Sequence, residues 1–170
     1  HVGIDRYDGN EIKHYKLDGM VDSRDNIQSS TTMMCDKEGI VCVALKNGKI
    51  YAYNKLTDSF QLRVDLDDYL PSPVLYNMLF DDENRLWLCM SKGLYSWEES
   101  AGLSFAGLKG QSVRCMCQME DEVFFAGTDK GVFRLQQAGQ AGPSASEPRP
   151  VELPSVRHVD ARFASGPDVL

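Results

Sequence analysis

A chain of 170 residues is long enough to bury a sizeable core within one domain. Its formal net charge is −7 and it carries no run of lysine or arginine, which disfavours binding to nucleic acid through phosphate neutralisation. No stretch approaches the roughly 18 apolar residues of a membrane-spanning helix, and no signal-peptide pattern opens the chain.

The first element, HVGIDRYDG around Gly3, is a truncated copy of a pattern that returns three times. The pattern reads IVCVALKNGKIYAY around Gly48, RLWLCMSKGLYSW around Gly93 and EVFFAGTDKGVFRL around Gly131. The glycines are spaced 45, 45 and 38 residues apart. Upstream of each complete copy lies another apolar run ending in an acidic turn, MMCDKEG, MLFDDEN and MCQMEDE. A weaker fourth run follows in KLTDSFQLRV and again in AGLSFAGL. Each unit is therefore strand, acidic turn, strand, Lys-Gly turn, strand, strand. Four short strands per roughly 40–45 residues are the signature of a β-propeller blade.

Strands fit these runs better than helices do. Residues 40–45 and 86–90 are short, apolar and bounded by Gly, Asn or Asp, and no window shows a clear helical period. Their apolarity is nearly continuous, as expected where both faces of a strand are covered. A β-sandwich with coincidental spacing is the alternative.

The expected organisation is all-β: a partial propeller of about four blades over residues 1–170, open at both ends. Residues 1–20 end one blade, 28–66 and 74–110 form two more, 112–154 form another, and 157–170 begin the next. Residues 136–150, QQAGQAGPSASEPRP after Leu135, cannot bury enough apolar area to offset their ordering entropy and read as a flexible insertion. VELP (151–154) then supplies the fourth strand, and 159–164 start the following unit. The remaining blades of a larger ring are the expected partners of the open edges, which would otherwise associate with other chains.

Residues that carry chemistry are sparse. Cys35, Cys42, Cys89, Cys115 and Cys117 all fall in expected strands and read as small core hydrophobes, with no CxxC spacing for zinc or redox work. The histidines His1, His14 and His158 lie at no metal-ligand spacing, and GxSxG, Walker A and GxGxxG are absent, so no catalytic residue, metal or cofactor is expected. DLDDY (65–69) and DDEN (81–84) lack the alternating oxygen ligands of a calcium loop, and DDEN reads as a solvated turn. Trp87 and Trp97 could stack on a sugar, yet each sits in an apolar strand and is expected to pack between blades.

Lys46, Lys92 and Lys130 stand in the turns between second and third strands. In a propeller, such turns line one rim, where three ammonium groups could attract an anionic ligand. First strands start on the same side, which brings Tyr76, Asn77 and Arg114 to that face. Arg114 could clamp a carboxylate or sulfate bidentately, while Tyr76 and Asn77 suit neutral hydroxyls.

GIDRYDGNEIKHYKL, DKEGIVCVALKNGKIYAYN and DDENRLWLCMSKGLYSW together resemble the regulator-propeller repeat, Asp-x-x-Gly-x-Leu-Trp-x-Gly-Thr-x-x-Gly-Leu-x-x-Tyr-Asp. Asp82, Leu86, Trp87, Gly93, Leu94 and Tyr95 match it in the best copy, and Gly127-Thr128 supplies its Gly-Thr; Cys89-Met90 and Ala44-Leu45 depart from it. This repeat is that of the periplasmic sensor region of Bacteroides-type hybrid two-component systems. The resemblance implies seven-bladed rings, a homodimeric inner-membrane parent with a histidine kinase downstream, and an oligosaccharide ligand. A propeller-type lyase or glycosidase, or an interaction scaffold, are the competing functions.

Overall fold

The computed structural model describes residues 3–17, 32–120, 123–136 and 149–150. Every extended element in it is antiparallel. A hairpin, β1 (Ile4–Tyr7) with β2 (Ile12–Tyr15), is followed by three four-stranded meanders. The first meander is β3 (Thr32–Cys35), β4 (Val41–Ala44), β5 (Lys49–Asn54) and β6 (Ser59–Asp65). The second is β7 (Leu75–Phe80), β8 (Leu86–Met90), β9 (Gly93–Glu98) and β10 (Gly102–Gly107). The third is β11 (Val113–Glu120), β12 (Val123–Thr128), β13 (Gly131–Gln136) and β14 (Arg149–Pro150). In each meander consecutive strands pair, as in a propeller blade. Among the described residues the one helical element is a single 3-10 turn, Leu66–Asp68, capped by the Asp65 carboxylate, which accepts from the Asp67 amide.

The fourth strand of the last meander starts earlier than VELP. Arg149 and Pro150 pair with Arg134 and Phe133, so the outer strand begins within the span read as insertion. Residues 137–148, VELP itself and the expected next unit at 157–170 lie outside the described residues.

The sheets stack face to face with the first strands adjacent: β7 lies against β3 on one side and β11 on the other. Between the first two meanders sits a core of Cys42, Ile50, Leu66, Leu75, Met78, Leu88 and Trp97. Between the second and third sit Trp87, Cys89, Leu94, Val113, Met116 and Phe124. The hairpin closes over Val43, Leu45 and Tyr51 with Ile4, Tyr15 and Leu17. β8 is buried along its whole length because cores press on both of its faces.

Two of the acidic turns between first and second strands are described; in each, one aspartate anchors a turn whose next two residues, Lys37 and Glu38 or Asp82 and Glu83, are exposed to solvent. Asp36 and Asp81 are buried. The Asp81 carboxylate accepts from the amides of Glu83 (3.0 Å) and Arg85 (2.8 Å) and from Trp87 Nε1 (2.8 Å). Asp36 accepts from the Ile40 amide at 2.8 Å, the equivalent bond. Three residues on, Gly39 (φ 73°) and Asn84 (φ 65°) take the left-handed conformation, which glycine adopts freely and asparagine tolerates. The aspartate that anchors this turn is thus Asp81, not Asp82, the one matched from the sequence. Asp82 instead reaches the neighbouring sheet, exchanging two hydrogen bonds with the Gln118 side chain at 3.0 and 2.9 Å.

Candidate functional site

Antiparallel pairing decides which residues share a face. Leu75 pairs with Met90, and Val113 with Thr128, so each first strand starts where its second strand ends. The turns bearing Lys46, Lys92 and Lys130 follow immediately, which puts them on the same face as Tyr76, Asn77 and Arg114.

Two β-bulges shape that face. The register steps from Leu75↔Met90 to Asn77↔Cys89, leaving Tyr76 unpaired, and from Val113↔Thr128 to Cys115↔Gly127, leaving Arg114 unpaired. A bulge re-aims the extra residue's side chain. Here the two bulges stand at matching positions of adjacent inner strands, and their side chains meet: Arg114 Cζ lies 4.0 Å from the Tyr76 ring centroid. A guanidinium resting on an aromatic face uses that face for the ring and keeps its N–H edge for an acceptor. Arg114 is exposed and Tyr76 half-buried, so the pair is presented rather than enclosed.

Asn77 joins the other neighbour. Its Oδ1 accepts from Thr32 Oγ1 of β3 at 2.9 Å and from the Met78 amide at 2.9 Å, so the amide's two N–H donors stand outside these contacts. Tyr76, Asn77 and Arg114 thereby form a polar line across the starts of three consecutive first strands, with Thr32 as a member not anticipated from the sequence.

The lysine rim is less regular than its spacing implies. The Gly48 amide donates to Leu45 O at 2.9 Å, which makes Lys46 the first turn residue and Asn47 the second. In the other two turns Met90 pairs with Gly93 and Thr128 with Gly131, so Lys92 and Lys130 take the second position, where Asn47 stands. All three lysine side chains are exposed. Their backbones are structural: Lys46 O accepts from the Leu75 amide (2.9 Å) and Lys92 O from the Gly110 amide (3.0 Å). Acidic groups share the face. Asp129 accepts from the Ser112 amide at 2.9 Å, and Asp65 pairs with Lys49 at 3.3 Å. The structure brings Tyr76 and Arg114 into contact and leaves the lysines exposed in turns on the same face.

Neither tryptophan is available to a sugar. Both are 8% exposed; Trp87 packs on Phe124 at 5.3 Å between centroids. Of the cysteines, only Cys42 and Cys89 are core residues, and Cys35, Cys115 and Cys117 are exposed. For Cys115 and Cys117 the cause lies in the stack: among the described residues β11 packs on β7 and β8 with one face, and these two residues stand outside that contact.

A second polar cluster holds the hairpin down. Asp58, at φ 46°, accepts from Tyr15 Oη and Tyr53 Oη, each at 2.7 Å, from Arg6 Nη1 at 3.2 Å and from Lys13 Nζ. Lys13 first, then the two phenols, hold its carboxyl well below the usual carboxylate range. Burial and these hydrogen bonds push the Tyr15 phenol up.

No protein-family model matches the chain, and no curated protein matches it. Among solved structures it is similar to the extracellular domain of a hybrid two-component system from B. thetaiotaomicron. The likeness has a TM-score of 0.53 at 14% sequence identity and covers 79% of this chain. The chain spans 21% of that domain's length, and what the two share is the fold.

Proposed function

We propose that this chain is a ligand-sensing part of the extracytoplasmic region of a hybrid two-component sensor. In that reading it recognises an oligosaccharide bearing an acidic group and signals to a histidine kinase downstream in a homodimeric inner-membrane parent. The observation that carries it is the Arg114–Tyr76 pair, set by two bulges at the mouth of the inner strands. Two bulges at matching positions present an exposed guanidinium stacked on a half-buried ring, an arrangement that suits a flat, charged, hydroxyl-rich ligand. The tyrosine holds the guanidinium in place, the guanidinium takes a carboxylate or sulfate through two parallel hydrogen bonds, and Asn77 serves adjacent hydroxyls. Lys46, Lys92 and Lys130 add longer-range attraction that salt screens. The fold shared with a two-component extracellular domain supports the sensory setting.

Calorimetric titration with uronate-containing, sulfated and neutral oligosaccharides, at low and high salt, tests the reading. Acidic oligosaccharides should bind, and Arg114→Ala should weaken them roughly ten- to hundredfold, the worth of about 1.5–3 kcal/mol for hydrogen bonds to a charged group. Arg114→Lys should recover only part, because an ammonium cannot make the bidentate contact. Binding of neutral sugars with equal affinity, unaffected at Arg114, would remove the acidic ligand from the proposal. Turnover of any oligosaccharide would move the chain to the carbohydrate-active enzymes.

A further inference from the structure

The buried aspartates of the first two meanders are covered by different groups. Six residues after Asp81 stands Trp87, whose indole N–H closes on the carboxylate at 2.8 Å. Six residues after Asp36 stands Cys42, buried but too short to do the same. Arg63 of β6 reaches in instead. Its Nη1 lies 3.5 Å from Asp36 Oδ2 and 3.6 Å from Cys42 Sγ, and its Cζ stands over the Trp97 ring, 5.7 Å from the centroid. A bulge permits this reach: the register steps from Ile50↔Val64 to Tyr51↔Leu62, and Arg63 is the extra residue. Beside it opens a cleft of about 550 Å³ whose walls include Ile40, Ala52, Gln61, Leu62, Arg63 and Glu99. All six belong to the first two meanders, and each of these is a full four-stranded sheet.

We infer that this cleft binds a small organic carboxylate with an apolar body. Nη1 of Arg63 faces Asp36 and Cys42, which leaves Nε and Nη2, the side-on edge of the guanidinium, outside these contacts. Two parallel N–H groups on that edge match the two oxygens of a carboxylate. Arg85, which rests on the Trp87 ring in a comparable way, has the same edge occupied: Nη2 by Glu83 at 2.9 Å and Nε by Glu98 at 3.1 Å. Among the described residues no carboxylate meets that edge of Arg63. Gln61 adds donors, since its Oε1 accepts from Asn54 Nδ2 at 3.3 Å and its own N–H groups stand outside that bond. Ile40, Ala52 and Leu62 supply the apolar wall. Asp36 behind the guanidinium and Glu99 on the exposed side favour a single negative charge over the nearly doubled charge of a phosphate monoester. The volume falls within the range of about 300–1,000 Å³ that small-molecule sites occupy.

The test is titration of the whole isotope-labelled chain with benzoate and hexanoate, each against its uncharged amide, read from arginine Nε–H and glutamine side-chain signals by nuclear magnetic resonance. Both acids should shift Arg63 Nε–H and the Gln61 amide saturably, leave Arg114 Nε–H unmoved, and outdo benzamide and hexanamide. Arg63→Lys keeps a cation opposite Asp36 but loses the two-pronged edge. Followed at the Gln61 amide, it should weaken binding roughly tenfold or more, the worth of a hydrogen bond to a charged group. Circular dichroism reports whether that variant folds; if it does not, Gln61→Ala, at an exposed residue, should weaken binding several-fold as followed at Arg63. The assignment is overturned by equal shifts from the amides, by a response at Arg114 in place of Arg63, or by no saturable response to either acid. Unchanged affinity in either folded variant, or tighter binding of phenyl phosphate than of benzoate, would overturn it as well.

Discussion

Trp87 and Trp97 offer a matched comparison, since both are 8% exposed and both sit in an intersheet core. They differ in one atom's surroundings. Trp87 Nε1 donates to Asp81 at 2.8 Å, whereas Trp97 Nε1 is buried and meets no acceptor. Trp87→Ala removes a ring packed on Phe124 and should cost roughly 3–5 kcal/mol. At about 2–4 °C per kcal/mol for a chain of this size, that is a fall in Tm on the order of 10 °C. The phenylalanine variants isolate the N–H. Each loses similar volume, but Trp87→Phe also strips a donor from a buried carboxylate, adding about 1–3 kcal/mol. Trp97→Phe instead removes a buried N–H that has no partner, which offsets part of the lost packing. Urea unfolding followed by far-ultraviolet circular dichroism should therefore rank Trp87→Phe as clearly the less stable. A double-mutant cycle with Asp81→Ala should give a coupling absent between Trp97→Phe and Asp81→Ala. Equal costs for the two phenylalanine variants would refute the role given to the Asp81 turn.

The Asp58 cluster predicts an acid-sensitive hairpin. A carboxyl held below its ordinary value of 3.8 contributes fully above that value, and the contribution is lost as pH falls further, so amide protection in β1 and β2 should drop below about pH 4 before the meanders open. Asp58→Asn, which keeps the tolerance for φ 46°, should loosen the hairpin at pH 7 and flatten the pH dependence; an unchanged pH profile in the variant would assign the step to another group. Gly48→Ala should destabilise more than Gly131→Ala. A Cβ at Gly48 (φ 88°) meets Pro73 Cγ at 2.8 Å and Leu66 Cβ at 3.0 Å, while at Gly131 (φ 123°) it meets nothing and only backbone strain, about 1–2 kcal/mol, remains. Denaturation midpoints in the reverse order would mean that the 66–74 connection yields. Replacing Lys46, Lys92 and Lys130 with glutamate should weaken acidic oligosaccharides at low salt and matter little at high salt; no difference would leave the three as solubilising turn residues.

The strands themselves were legible because short apolar runs closed by Gly, Asn and Asp admit few other structures. The bounds of β8 match the run 86–90, and β4 falls inside 40–45. What escaped was everything that depends on pairing between strands. A bulge is one residue out of step between partners, and neither partner's own pattern of apolar and polar residues records it. Tyr76 and Arg114 were reached from the sense of the strands alone; that they would touch was not readable. The only sequence trace is that each follows an apolar residue, Leu75 or Val113, at the same point of its unit. Aligned on their glycines, the turns carry Lys46 one residue earlier than Lys92 and Lys130, because lysine is interchangeable along a solvated turn and the glycine with positive φ is not. Asp81 and Asp82 are equally acidic and adjacent, yet counting six residues back from Trp87 already selects Asp81, the one that accepts from the amides of Glu83 and Arg85.

The cysteines show where a correct local reading stops being informative. Continuous apolarity does mean burial on both faces when sheets press from both sides, and Leu86–Met90, Cys89 included, is buried throughout. The same residue type in β11 behaves otherwise. Val113 and Met116 are buried while Cys115, Cys117 and Met119 are exposed, so the strand is covered on one face only among the described residues. Cysteine is small and apolar enough to satisfy a core position, and reactive enough that exposure changes its meaning. Two thiols on one face followed from their spacing. Whether that face meets a neighbouring sheet is a property of the stack, which the spacing of two residues on one strand does not record.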